Sequence, residues 1–497
     1  MRSLGPLLIL CLAAPAAAQS VEEEVEDGGA LLSLEDLAPD GAPDPAAPAR
    51  EAADPVLAPL RPIDEPPEQY TLANGLRVVL LPVPGRRFAA VGVSYDVGAG
   101  DVPEGWTGLA HLAEHLMFSG TDVLDEVAVY RELEAAGAIV RNAVTTVDRT
   151  TYYAVLPVAT MERALWIESH RMARVLAGLD RRRLERQREV ILHEGWERNL
   201  YGWRGALHQL RYVGVFPAGH PYTRFVERED DVRAIRLPHV QWFLQRHYGP
   251  DDATLLVVGG FEPERVRASI ERHFGPIRRS APRAERVVTA PIAPLDHERR
   301  ITARIQHDRD QVEIAWPTPA LFDDGDAALD LLSGLLVDRR EAPLTAALVE
   351  SGIALELGAR QYSHDRGSVF VLSAVPARGH TADECLAALD AAMDRVRAAP
   401  FGRDDVARAS QDWARRMQLD VEDVGARLGL LAAARGGHVP TLEHERQRYL
   451  AVDADALARV VRDWLPPDRR LVMFGRADPS SPPRASVVRD ERVARQP

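Results

Sequence analysis

The residues best suited to chemistry lie in one pentapeptide, His111-Leu112-Ala113-Glu114-His115. Two neutral imidazoles can share one divalent ion, and zinc suits such a pair. A four-residue spacing places both rings one above the other on a single helix face. Glu114 follows His111 by three residues and adjoins His115, so it borders the same face. From there a carboxylate can take a proton from a water beside the metal, which points to metal-assisted hydrolysis. The order is the reverse of His-Glu-x-x-His, and His-x-x-Glu-His is itself a zinc arrangement. Taken alone, the same five residues also fit one solvated edge of an amphipathic helix.

This chemistry needs a helix at the motif. Residues 108–118 contain no Pro, no internal Gly and many good helix formers. Thr107 is placed to cap the start, and Ser119-Gly120 to end it. A catalytic zinc also needs a third protein ligand. A second helical stretch, 184–200, offers Glu185, Glu189, Glu194 and Glu197. Spacing does not choose among them, and each reads equally well as a solvated helix carboxylate.

Around these helices the sequence alternates irregularly. Strand-like runs at 76–81, 89–97, 138–146, 150–156 and 254–258 mix with helical patterns at 124–136, 161–176 and 264–274. The absence of a strict strand–helix unit indicates an α+β sandwich over residues 68–279. Pro-rich residues 280–298 read as a linker. Residues 299–478 repeat the pattern loosely, with strands at 311–316, 368–373 and 471–474. Helices are expected there at 327–336, 343–350, 382–398, 403–417 and 453–463, so a second, homologous domain follows. Residues 479–497 read as a flexible tail.

The chain has 497 residues, 46% hydrophobic and 27% charged, which is ordinary for a folded protein of more than one domain. A formal charge of -14 leaves no broad basic field for nucleic acid. All 60 basic residues are Arg. Residues 1–18 read as a signal peptide: Arg2, an apolar run at 7–12, and Ala16-Ala17-Ala18 before the cut. That run is too short to span a membrane, and no later stretch reads as transmembrane. Leu10 before Cys11 fits a lipoprotein signal poorly. With Cys11 removed, Cys385 is the remaining cysteine, and no internal disulfide is expected. Acidic, Pro/Ala-rich residues 19–67 read as a disordered leader. Export follows, to a periplasm in first place, with secretion or surface attachment as alternatives.

Several stretches resemble the pitrilysin family, which includes insulysin and the mitochondrial processing peptidases. Residues 72–80 are similar to its opening strand, and 105–121 to its zinc helix with flanks. Residues 141–153 resemble its substrate-contacting edge strand, and 219–222 and 248–259 resemble two later landmarks. The resemblance implies one Zn2+ per chain on His111, His115 and Glu194, with Glu114 as the catalytic base. It places Gln187 where the family has a second Glu, beside the ligands. It assigns substrate contact to Asn142 and Ala143, and leaves His193 and His220 surface or structural roles. The fold implied is two homologous α/β sandwich domains forming one half of a clamshell.

The function implied is a zinc-dependent endopeptidase acting on peptides or extended unfolded segments. The alternative is a catalytically silent structural or assembly subunit, against which the intact residue set argues. In the family, a non-zinc half supplies an Arg and a Tyr within Leu-Arg-Glu-x-x-Gly-Leu-Ala-Tyr. Anchored on Gly352, this chain has Leu348 and Leu355 at those places. A heterodimer with a homologous chain carrying the Arg and Tyr is therefore expected. The alternative to a partner is that Arg360 and Tyr362, two apart on one face of a strand but not at the family's spacing, substitute within this chain.

Overall fold

The computed structural model describes residues 66–198, 200–280, 292–399, 401–433, 441–480 and 486–491. The expected signal peptide, the leader up to residue 65 and residues 281–291 of the expected linker lie outside the described residues.

Two six-stranded sheets organise the chain. The first contains β1 (Glu68–Thr71), β2 (Arg77–Pro82), β3 (Phe88–Tyr95), β4 (Val140–Thr145), β5 (Thr150–Pro157) and β6 (Ala253–Gly259), in the order β1-β2-β6-β3-β5-β4. The second contains β7 (Arg299–Ile305), β8 (Gln311–Thr318), β9 (Ala354–Tyr362), β10 (Ser368–Pro376), β11 (Leu471–Ala477) and β12 (Ser486–Glu491), in the order β12-β7-β11-β8-β10-β9. The two orders correspond place by place. In each sheet one pair is parallel, β2 with β6 and β7 with β11, and the other pairs are antiparallel. This is the α+β internal repeat that the sequence suggests.

The helices follow the same repeat. Between β3 and β4 lie α1 (Leu109–Phe118) and α2 (Glu126–Ala135). Between β5 and β6 lie α3 (Met161–Gly178), α4 (Arg181–Glu197), α5 (Trp203–Val215), α6 (Glu229–Ala234) and α7 (Leu237–His247), and α8 (Pro263–Phe274) follows β6. In the second half α9 (Asp326–Val337) follows β8. Between β10 and β11 come α10 (Ala382–Ala398), α11 (Arg403–Asp420), α12 (Val424–Ala432), α13 (Leu442–Leu450) and α14 (Ala454–Trp464).

Strand alternation decides what each sheet face buries. On β3, Ala89, Val91, Val93 and Tyr95 point into a core shared with Leu109, Leu112 and Leu116 of α1 and Leu165 of α3. The opposite face of β3, β5 and β6 is covered by α12, which belongs to the second half. The second sheet repeats this. Ile314, Trp316, Phe370 and Leu372 share a core with Leu329, Leu389 and Val460 of its own helices. Its other face, with Val369, Val371, Leu471 and Met473, packs on Tyr212 and Val215 of α5 and on Phe216 just after it, all from the first half. The approach of α5 is close: a Cβ on Gly214 would stand 2.6 Å from the Leu471 side chain. Thus α5 and α12, which follow α4 and α11 in equivalent positions, each cover the other half's sheet.

Three expectations need correction. Thr107 does not cap α1. Gly108 holds the N-cap position with φ 85°, and the Thr107 hydroxyl instead donates to Asp231 Oδ2 at 2.8 Å. The helix expected at 343–350 is present over residues 343–349, but its last five residues, Thr345–Val349, are wound as a π-helix. The expected tail, 479–497, contains β12, which pairs antiparallel with the otherwise open side of β7.

A largely buried polar latch joins the halves. The turn after β9, residues 363–367, reaches the β4–β5 turn. Arg149 Nη2 meets Asp365 Oδ1 at 2.5 Å, and Arg366 Nη2 meets Asp101 Oδ1 at 2.5 Å. Tyr222 Oη donates to Asp148 Oδ1 at 2.7 Å and accepts from Arg366 N at 2.8 Å. Removing one partner of such a pair leaves the other charge buried and uncompensated. Arg366→Ala should therefore cost about 3–5 kcal/mol, read as a lowered Tm in calorimetry; an unchanged Tm would mean the latch is not formed.

Candidate metal centre

Helix α1 presents its motif toward α4 because Leu109, Leu112, Ala113 and Leu116 fill the core on its other side. His111 and His115 are one helical turn apart, and Glu194 reaches them from α4. His111 Nε2 and His115 Nε2 are 3.2 Å apart. Glu194 Oε1 is 3.7 Å from His115 Nε2, and Glu194 Oε2 is 3.8 Å from His111 Nε2. Ligand bonds of 2.0–2.1 Å in a tetrahedron separate neighbouring donors by roughly 3.3 Å. The donor set therefore fits a zinc-sized ion. Among the described residues this trio is the one group of His, Cys, Asp and Glu so disposed. The three side chains stay 16–18% exposed, so the centre opens to solvent.

The electrostatics favour a cation. Burial works against charge on His111, but Glu227, with help from Glu114 and Glu194, pushes its pKa up to about 9. Glu227 Oε1 lies 2.6 Å from His111 Nδ1. Burial, reinforced by the charge on His111, pushes His115 down to about 3, while a hydrogen bond that Gln187 accepts from the protonated ring opposes this. Burial raises Glu114 against the pull of His111. The carboxyl of Glu227, though buried, is held below its usual range by His111. Two imidazoles whose Nε2 atoms face each other at 3.2 Å repel unless a proton or a metal ion lies between them, and three carboxylates surround the pair.

The remaining expected residues fall as follows. Gln187 is buried, 3.5 Å from Glu126 Oε1 through its amide nitrogen. Asn142 and Ala143 lie on β4, an edge strand that among the described residues pairs with β5 alone. His193 is exposed and pairs with Glu197 at 3.0 Å. His220 is buried and accepts from Tyr222 N at 3.2 Å. Leu348 is buried, Leu355 is 52% exposed, and the Arg360 guanidinium sits 5.6 Å from the centre of the Tyr362 ring.

Three neighbours carry no signal in the sequence. Glu227 sits in the loop before α6 and pairs across to His111. Tyr201 Oη donates to Glu227 Oε2 at 3.3 Å. Its ring occupies the space beside Gly195, where a Cβ would stand 2.1 Å from the ring. Thr145, the last residue of β4, donates from Oγ1 to Glu114 Oε2.

The profile described as "Insulinase (Peptidase family M16)" matches residues 77–201, and "Peptidase M16 inactive domain" matches 234–411. The zinc protease PqqE of Helicobacter pylori is 27% identical over 60% of this chain and 66% of its own length. Mitochondrial-processing peptidase β subunits of Lentinula edodes (29% identical) and Arabidopsis thaliana (28%, probable) are matched over 45% and 41% of their own length. The crystal structure of a protease from Helicobacter pylori superposes with a TM-score of 0.75 at 22% identity, over 82% of this chain and 99% of that one. The periplasmic protease PqqL from Escherichia coli gives 0.68 at 17% identity, over 84% of this chain and 48% of that one. The second profile's description has a counterpart in the fold. Helices α1 and α9 both start from a left-handed Gly, Gly108 and Gly325, and on that alignment His111 and His115 correspond to Ala328 and Leu332. Profiles, relatives and fold agree that the chain belongs to the insulinase family, peptidase family M16.

Proposed function

We propose that this protein is a zinc-dependent endopeptidase that hydrolyses peptides or extended unfolded segments, with one Zn2+ per chain. The observation that carries this reading is the donor geometry of His111, His115 and Glu194 with Glu114 beside it. The inactive-domain match contains none of these four residues. Bound zinc would supply Lewis-acid polarisation of water and of the scissile carbonyl. His111 and His115 offer Nε2, and Glu227 fixes the His111 ring through Nδ1. Glu114 takes the proton of the attacking water and returns it to the leaving nitrogen. On β4, Asn142 and Ala143 offer an open edge to which substrate adds as a strand.

Chelation of the purified chain, with its partner where one is required, should abolish cleavage of an unfolded reporter peptide, and zinc should restore it. Full cleavage after verified metal removal would refute the reading. Glu227→Gln should weaken zinc binding by about 10–100-fold, because the carboxylate raises the basicity of His111. Competition against a chromogenic chelator measures this, and unchanged affinity would leave Glu227 with a structural role. Export to a periplasm is part of the proposal. It rests on the sequence of residues 1–18 and on the fold shared with PqqL of Escherichia coli, a periplasmic protease. Among the described residues no helix is long and apolar enough to cross a membrane. N-terminal sequencing of the exported protein should begin at Gln19; a chain retaining Met1 in the cytosol would contradict it.

A further inference from the structure

We propose that Thr145 is a positioning residue for Glu114, holding one carboxylate oxygen so that the other does the proton transfer. The inference rests on the function proposed above and extends it to a residue outside the motif. Oε2 of Glu114 accepts from Thr145 Oγ1, and among the described residues Oε1 has no hydrogen-bond partner. The carboxylate is therefore asymmetric before any substrate arrives.

The hydroxyl is itself positioned. Thr145 pairs with Thr150 across the β4–β5 ladder, and their hydroxyl oxygens are 3.3 Å apart. Thr150 Oγ1 donates to Val97 O at 3.0 Å, so its proton is committed elsewhere. The Thr145 proton is then free to point at Glu114. Branching at Cβ restricts its χ1. The next residue is also fixed: Thr146 N donates to Arg149 O, and Thr146 O accepts from Ala99 N, each at 2.8 Å. Arg149 in turn is held by Asp365 in the latch.

The proton path follows. One O–H bond of water breaks and its proton bonds to Glu114 Oε1, while the hydroxyl oxygen bonds to the acyl carbon and the carbonyl π pair shifts onto the carbonyl oxygen, to return when the next bond breaks. The carbon–nitrogen bond then breaks, and the same proton leaves Oε1 for the departing amine. Glu114 ends as the carboxylate it began as, and Thr145 donates to Oε2 throughout. A charge-assisted hydrogen bond of this kind fixes geometry as well as charge. Without it the carboxylate can rotate, and misplacement on that scale costs up to about 100-fold in rate.

The test compares Thr145→Val and Thr145→Ser with wild type in the full, zinc-loaded protein. For Thr145→Val, kcat should fall by about 10–100-fold with KM within about twofold, and Thr145→Ser should stay within about threefold of wild type. The second readout is thermal unfolding without metal. Thr145→Val should lower Tm by about 2 °C when Glu114 is present and by much less in a Glu114→Ala background. A raised KM with unchanged kcat would assign Thr145 to the substrate edge and overturn the proposal. An equal loss of Tm in both backgrounds would make the residue merely structural and also overturn it. If Thr145→Val does not fold, Thr145→Ser decides, because a large kcat loss with the hydroxyl retained contradicts positioning. Failure of the underlying function is separately visible: Glu114→Gln would then turn over peptide like wild type, and the proposal would fall with it.

Discussion

Glu114→Gln should lower peptide turnover by about 100–10,000-fold, the range for loss of a general acid–base group, while zinc stays bound at one ion per chain. Gln is nearly isosteric with Glu, and its carbonyl oxygen can still accept from Thr145 Oγ1, so the site keeps its shape. What it loses is the ability to take a proton. Glu114 is not among the clustered donors His111, His115 and Glu194, so metal content should be unaffected. Elemental analysis beside a peptide cleavage assay checks both halves of this expectation. Turnover near the wild-type rate would remove Glu114 from the mechanism. Loss of zinc would instead show that it supports the ligands.

The second large effect concerns a partner. An oxyanion at the scissile carbonyl needs hydrogen-bond donors, and each donor is worth about 100–1,000-fold in turnover. Leu348 is sealed in the second core, and Leu355 is an exposed aliphatic side chain. Neither has a proton to give. Tyr362 also lies beneath the Arg211 guanidinium, which is itself paired with Glu313, so it is engaged within this half. Adding a homologous chain that carries the Arg and Tyr should therefore raise turnover about 100–1,000-fold. Co-purification from the native host, followed by assays with and without the companion, measures this. Full activity of the isolated chain, undiminished by Arg360→Ala and Tyr362→Phe, would leave the heterodimer without support.

What could be read in the sequence was what is local. Helix α1 was legible because Leu109, Leu112, Ala113 and Leu116 mark one face and the two His another. Its observed limits fall within a residue of those expected. Thr107 has the type and place of a cap, but its competitor is long-range: Asp231 claims the hydroxyl that would cap the helix. Glu194 was one of four helix carboxylates and needed the family resemblance to single it out. Glu227 and Thr145 reach the site from a loop and a strand end, and nothing periodic distinguishes them. Helices α5 and α12 went unrecognised because each is amphipathic toward a sheet that lies far away in the chain. Strand β12, Ser-Val-Val-Arg-Asp-Glu, is polar enough to pass for a tail, and β7 is what makes it a strand.

The crossing of α5 and α12 has a consequence for the ancestry and handling of this chain. Equivalent helices that each roof over the other half form an isologous, swapped pair, the arrangement of a homodimer fused head to tail. A fragment ending near residue 279 would keep α5 but lose α12, leaving the outer face of β3, β5 and β6 bare and its own helix without a sheet. Such a fragment has two ways to bury that surface: to recruit the complementary fragment, or to trade α5 with a second copy of itself. Splitting the gene between the sheets should thus give two polypeptides that fold well when made together and aggregate when made apart, a ready format for a split-protein reporter.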